Sequence, residues 1–99
     1  MVRINWTFQA KDDLKSIAEY ISKDSVRYAK FQVIRLKNRT QILKQHPFIG
    51  KIVPEINSDK IRELIEGRYR IIYKIVSKNQ IDILTVHHTA QDLTRRTIK

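Results

Sequence analysis

The stretch Arg62-Glu63-Leu64-Ile65-Glu66-Gly67-Arg68-Tyr69-Arg70-Ile71-Ile72-Tyr73-Lys74-Ile75-Val76, followed by Ser77-Lys78-Asn79-Gln80 and Ile81-Asp82-Ile83-Leu84-Thr85-Val86-His87-His88, reads as two consecutive β-hairpins that share a central strand. β-branched and aromatic residues fill the runs, as a pleated, half-buried surface favours. Glu66-Gly67 predicts the first tight turn, because glycine reaches positive φ without steric cost, and Ser77 to Gln80 predicts the second. Along the central strand, about Arg68 to Val76, alternation sets Tyr69, Ile71, Tyr73 and Ile75 on one face. Arg68, Arg70, Ile72, Lys74 and Val76 fall on the other. The first set is a core. The second is too apolar for water and too cationic to be buried alone, so it suits an anionic or amphipathic partner.

Upstream, Val2, Ile4 and Trp6 alternate with Arg3 and Asn5 as a short strand. Thr7 offers a helix cap, and Ala10, Leu14, Ile17, Ala18 and Ile21 then form one helical stripe. Ser22-Lys23-Asp24 breaks that helix, and Asp24 or Ser25 can cap the next. Val26, Ala29, Val33, Leu36, Thr40 and Leu43 step by three and four, with Phe31, Ile34 and Ile42 widening the stripe. So short a link makes the two helices an antiparallel hairpin. His46-Pro47 ends the second helix, and Phe48 to Lys60 reads as a loop with little regular structure. Trp6, Phe31 and Phe48 read as packing residues, and the segment from Thr89 to Lys99 as a short helix or a frayed end. The predicted fold is α+β: a strand, an antiparallel helical hairpin, then a three-stranded antiparallel meander with the helices on one face.

At 99 residues the chain is one domain, spanning residues 1–99. A hydrophobic fraction of 41% and a charged fraction of 30% are those of a globular protein. Twenty Lys and Arg against ten Asp and Glu give +10, which predicts attraction to polyanions that weakens with salt. The absence of cysteine excludes disulfides and thiolate metal sites. The apolar runs are too short to span a bilayer and the amino terminus lacks a secretion signal, so the chain is read as cytoplasmic, without a membrane partner.

Arg62, Arg68 and Arg70 on neighbouring strands could converge on one phosphate or carboxylate, with Lys51 and Lys74 as further cations. For Arg62 and Arg68 the first reading is a rim ion pair with Glu63, Glu66 or Glu55; Arg70, mid-strand, is the functional candidate. His87 and His88 are candidate acid/base groups. As neighbours in a strand they point to opposite faces and cannot chelate one ion, so neither a metal nor a cofactor is expected. By alternation His88 could share Arg70's face as an acid or base, with a hydrogen-bonded structural histidine as the first reading. Glu55 can act as a base if its loop folds over that face. Ile72, Val76, Leu84 and Val86 are the apolar residues a partner would cover.

Trp6 with Ala10, Asp13-Leu14, Ile17-Ala18-Glu19-Tyr20-Ile21, His46-Pro47 with Gly50-Lys51, Arg62-Glu63-Leu64, Gly67 to Tyr73 and Ile83 to His88 stand in an order and spacing that resembles the RelE/ParE superfamily of toxins. The resemblance spans nearly the whole chain and is closer to the ParE branch. It implies the toxin of a type II toxin-antitoxin module, causing growth arrest or plasmid stabilisation and neutralised by a cognate acidic antitoxin on Ile72, Val76, Leu84 and Val86. A ParE-like toxin would poison DNA gyrase without chemistry of its own. A RelE-like toxin would cut messenger RNA on the ribosome, with Arg70 holding the phosphate, His87 or His88 as acid or base, and Glu55 or Lys51 as the loop residue. Gln91 stands where ParE-like members often carry an arginine, and no tyrosine follows Tyr73, where many nuclease members carry one. A non-toxic basic binding module is the third reading.

Overall fold

The computed structural model describes residues 2–89 and joins two helices to a five-stranded sheet. Strand β1 (Arg3–Trp6) leads into α1 (Phe8–Ser22), and α2 (Val26–Arg39) continues as a 3₁₀ turn (Thr40–Lys44). The strands β2 (Lys51–Ile52), β3 (Ile61–Glu66), β4 (Tyr69–Ser77) and β5 (Gln80–His88) complete a sheet ordered β1-β5-β4-β3-β2. β1 runs parallel to β5, and the other pairs are antiparallel. The tail from residue 90, with Gln91, lies outside the described residues.

Capping follows the residue chemistry. Thr7 Oγ1 accepts the Ala10 N–H at 3.2 Å and donates to the Ile83 carbonyl at 2.7 Å, so one hydroxyl starts α1 and pins it to β5. Ser25, one of the two candidates, caps α2 by accepting from Tyr28 N–H. The helices cover the Tyr69 face of β4, where Leu14, Leu36 and Leu43 meet Ile71, Tyr73, Ile83 and Val86. Each such side chain withdrawn from water contributes about 2 kcal/mol.

Four expectations are corrected. The first turn is Gly67-Arg68, one residue later, with Gly67 at φ +61°, and Glu66 pairs with Tyr69. The second turn tightens to Lys78-Asn79, because Ser77 pairs with Gln80. The segment 48–60 contains β2, which adds a fifth strand. Phe31 and Phe48 are more than half exposed, because the sheet takes only the Ala29, Gln32 and Leu36 side of α2 and Phe48 lies outside the sheet.

One irregularity in β5 reorders its faces. Ile72 pairs with Thr85 but Tyr73 with Ile83, so Leu84 is an extra residue in the ladder, a β-bulge. Before it, Ile81 and Ile83 face the helices; after it, Val86 and His88 do, and His87 turns to the other side beside Arg70. The bulge is anchored by Asp13 of α1, whose carboxylate accepts from Thr85 Oγ1 and from the Val86 N–H.

On the β3 edge, Tyr73 donates its hydroxyl proton to the Pro47 carbonyl at 2.7 Å and accepts the Gly50 N–H at 3.0 Å. A Cβ on Gly50 would lie 2.6 Å from both the Glu63 carbonyl oxygen and Tyr73 Oη. Gly50→Ala is therefore expected to cost about 2 kcal/mol. Urea denaturation checks this, and a midpoint equal to the parent's would contradict it.

Candidate functional site

Arg70 is the second residue of β4, nearer the strand's start than the mid-strand position expected, and lies on the face turned away from the helices, between Ile65 of β3 and His87 of β5. A lone cation there would be costly, and the sequence supplies two anions. Glu63 comes from the adjacent strand, and Glu55 from the loop that leaves β2 and crosses this face. Arg70 Nε and Nη2 donate to the two Glu63 oxygens at 3.0 and 2.9 Å, while Nη1 and Nη2 donate to the two Glu55 oxygens at 2.8 and 3.1 Å. Four of the five guanidinium N–H donors are thus aimed at carboxylate oxygens, in two bidentate pairs. The Arg70 and Glu63 side chains are each 11% exposed.

The electrostatics follow from that geometry. Hydrogen bonding to Arg70 lowers the Glu55 carboxyl from 4.5 to about 2, with a smaller lowering from the field of His87. Arg70 is raised reciprocally, chiefly by its bonds to Glu55. A carboxylate held that low is a poor general base near neutral pH, and a guanidinium so occupied offers a phosphate little until one carboxylate leaves.

The loop also closes this face sterically. Val53, Ile61 and Ile72 form a second small core, with Ile56 and Leu84 packed against it. Ile72 is fully buried beneath the chain's own loop and Val86 lies in the helix-facing core, so neither is a surface for a partner, contrary to expectation. Leu84 keeps its expected face, half-buried, and Val76 is exposed.

The remaining candidates scatter. His87, not His88, is Arg70's cross-strand neighbour, and it is 1% exposed. His88 lies on the helix side with its ring edge-on to Tyr69, centroids 5.7 Å apart. The bulge causes this exchange. Arg62 does not converge with Arg70 and, among the described residues, makes no rim ion pair with Glu63, Glu66 or Glu55. It donates to the carbonyls of Asp59, Phe48 and Gly50 and stacks over the Phe48 ring, which makes it a clasp for the 48–59 segment. Arg68 occupies the exposed turn and, with His88, borders the cleft between the helical hairpin and the end of the sheet. Lys51 is exposed across from Glu63, and Lys74 is half-buried across from Asp82.

Glu63 as Arg70's partner was missed, although the hairpin alone brings it near. Asp13, read only as part of a motif, proves to be the buried anchor of the bulge. Among the described residues, no group of three His, Cys, Asp or Glu could hold a metal ion, and no helix is long and apolar enough to cross a membrane.

Comparison with known proteins agrees with this architecture. Residues 4–93 match the family model described as the ParE toxin of the type II toxin-antitoxin system parDE. Toxin RelE2 of Caulobacter vibrioides is 28% identical over 91 residues, 92% of this chain and 99% of that protein. A protein of Sinorhizobium fredii carrying the name Y4kP is 34% identical over 89 residues, 90% of each chain. A chain of the solved chromosomal ParDE TA system from P. aeruginosa shares the fold at a TM-score of 0.73 and 23% identity, over 89% of this chain and 96% of that one.

Two outcomes test the clamp. Arg70→Ala is expected to cost about 3 kcal/mol by leaving two carboxylates facing each other, and Arg70→Lys to recover little of it, since an ammonium cannot reproduce two bidentate pairs. Urea denaturation measures both. Because Glu55's pKa is depressed by folding, its stabilisation is complete above about pH 4.5 and is lost as pH falls toward about 2. Glu55→Gln should therefore lower stability at neutral pH and flatten the acid limb of the stability profile. An unchanged acid limb would contradict the pairing.

Proposed function

Because the chain belongs to the ParE toxin family of type II toxin-antitoxin systems, we propose that it arrests growth by binding DNA gyrase and stalling it on DNA. The binding is non-covalent and needs no catalytic group of the toxin, and a cognate antitoxin reverses the arrest. The supporting observation is the Arg70 clamp. Of the residues a nuclease would use, the arginine is engaged by two carboxylates, Glu55 is depressed to about pH 2, His87 is sealed, and His88 faces the opposite side. A binding toxin needs none of these groups free. The net charge of +10 suits a target bound to a polyanion. Gyrase acts in the cytoplasm, where this reading places the chain.

One observation favours a second reading. Arg70 and His87 are cross-strand neighbours on one face of the sheet and the loop holds Glu55 against Arg70, so a cation, an imidazole and a carboxylate, the group types that ribosome-dependent messenger cleavage would use, stand together there.

Inducible expression in bacteria separates the two. The gyrase reading predicts lost supercoiling, trapped cleaved DNA and a DNA damage response, with arrest retained in His87→Gln. Messenger cuts mapping to the ribosomal A site, with gyrase activity intact, would contradict it. Antitoxin at 1,000 times its dissociation constant should stabilise the toxin by about 4 kcal/mol, read as a raised Tm. A complex melting no higher than the free toxin would contradict a neutralising complex.

A further inference from the structure

On the side of the sheet opposite Arg70, a cleft of about 920 Å³ opens where the helical hairpin meets the β3–β4 turn and the end of β5. Three elements each bring a tyrosine to it: Tyr20 from α1, Tyr28 from α2 and Tyr69 from β4. The phenols lie close together, since burial, then Tyr28 and Tyr20, push the Tyr69 hydroxyl above the usual tyrosine range. Lys23 stands 5.8 Å over the Tyr20 ring, and His88 meets Tyr69 edge-on. Tyr28, 53% exposed, makes no ring contact among the described residues, so its face is open.

Gln32 is the anomaly of this wall. It stands between Ala29 and Leu36 on the side of α2 that packs on the sheet, and it is 6% exposed. Its carboxamide makes no hydrogen bond with any described residue and opens onto the cleft. A buried amide without a partner is costly, and a ligand that offers a donor and an acceptor removes that cost. Tyr28, Gln32 and Arg35 follow one another at helical spacing, so they form one stripe on α2 that rises about 10 Å at 1.5 Å per residue. Arg68 borders the cleft from the β3–β4 turn. Arg35 and Arg68 are exposed and make no ion pair among the described residues. The two acids of the wall are already engaged, Asp13 with Thr85 and Val86, and Glu66 with Arg39 at 4.0 Å.

These groups select a ligand. A bare phosphate would use the arginines and leave the ring and the amide idle. A duplex keeps its base faces stacked, so Tyr28 would gain nothing from it. An acidic peptide would meet the arginines but gives the Tyr28 ring no flat partner. A nucleotide with an unpaired base meets all of them: its base stacks on an aromatic ring, its base edge presents a donor and an acceptor to an amide, and its phosphate takes guanidinium groups. We propose that this cleft binds such a nucleotide, with Tyr28 as the stacking platform, Gln32 on the base edge and Arg35 and Arg68 on the phosphate. The site is separate from the Arg70 clamp and does not depend on the gyrase reading.

Calorimetry on the full chain at physiological salt tests it with the four ribonucleoside monophosphates, ribose phosphate, hexaglutamate, and one mixed-sequence oligonucleotide in single- and double-stranded form. Saturable binding of a monophosphate would assign a free nucleotide, and binding of the single strand alone a nucleotide within a strand; either supports the proposal. The better of the two ligands should lose about tenfold in Tyr28→Ala and about fivefold in Gln32→Leu. The Gln32→Leu protein should melt no lower than the parent, which separates lost binding from lost folding. Arg35→Gln/Arg68→Gln should weaken binding and its salt dependence, while Lys15→Gln/Lys78→Gln, an equal loss of charge away from the cleft, should bind like the parent. Ribose phosphate, hexaglutamate or the duplex binding as tightly as the better nucleotide ligand would overturn the proposal, as would parent-like binding in both Tyr28→Ala and Gln32→Leu. Equal losses in the two double variants would show a general attraction to a basic chain and overturn it too. So would the absence of binding by every nucleotide form, and each of these outcomes leaves the gyrase reading intact.

Discussion

A guanidinium has one planar fork, and in this protein two carboxylates fill it. Glu63 reaches Arg70 from the neighbouring strand, a local contact that the β3–β4 hairpin enforces. Glu55 reaches it from a loop, and that contact decides how the second face of the sheet is used. Once Glu55 is fixed, Val53 and Ile56 lie over Ile72, Ile61 and Leu84, and a face that would otherwise expose aliphatic residues closes. The ion pairs and the small core support each other. The apolar cover keeps water from the charges and strengthens their attraction, while the charges fix the path of the loop that supplies the cover.

The same segment is held at its other end by a separate device. Tyr73 crosses from the helix-facing core to take Gly50 and Pro47, and Arg62 gathers the carbonyls of Phe48, Gly50 and Asp59. Two arginines that could have converged on one anion therefore divide the work. Arg62 binds backbone oxygens at the edge, and Arg70 binds carboxylates over the sheet. Neither is left as a free cation, so the chain's positive surface is carried by the helical hairpin and the exposed lysines.

The period-two pattern of β4 was legible to the residue: Tyr69, Ile71, Tyr73 and Ile75 face the helices as alternation requires. Thr7 and Ser25 cap the helices because short hydroxyl side chains standing before apolar periodic runs can do little else. The fold class and the family resemblance follow from such local signals. In β5 the reading failed at one residue. Nothing in Ile83-Leu84-Thr85-Val86 announces a bulge, since its cause is a carboxylate 72 positions away in the chain, Asp13, bonding to Thr85. That extra residue exchanged the histidines and moved Val86 into the core. Glu55's contact with Arg70 was legible only as a condition on the loop. Phe31 and Ile34 have the spacing of core residues on a helix, and only the packing reveals that no element of the described chain covers them.

The central claim is that Arg70 is a structural clamp and not an open anion site. Nitrogen-15 NMR of the Arg70 Nε–H, with inorganic phosphate titrated into the isolated toxin, tests it most directly. The clamp predicts slow exchange with solvent and no chemical shift change up to saturating phosphate. Rapid exchange together with a saturable shift on phosphate addition would contradict it.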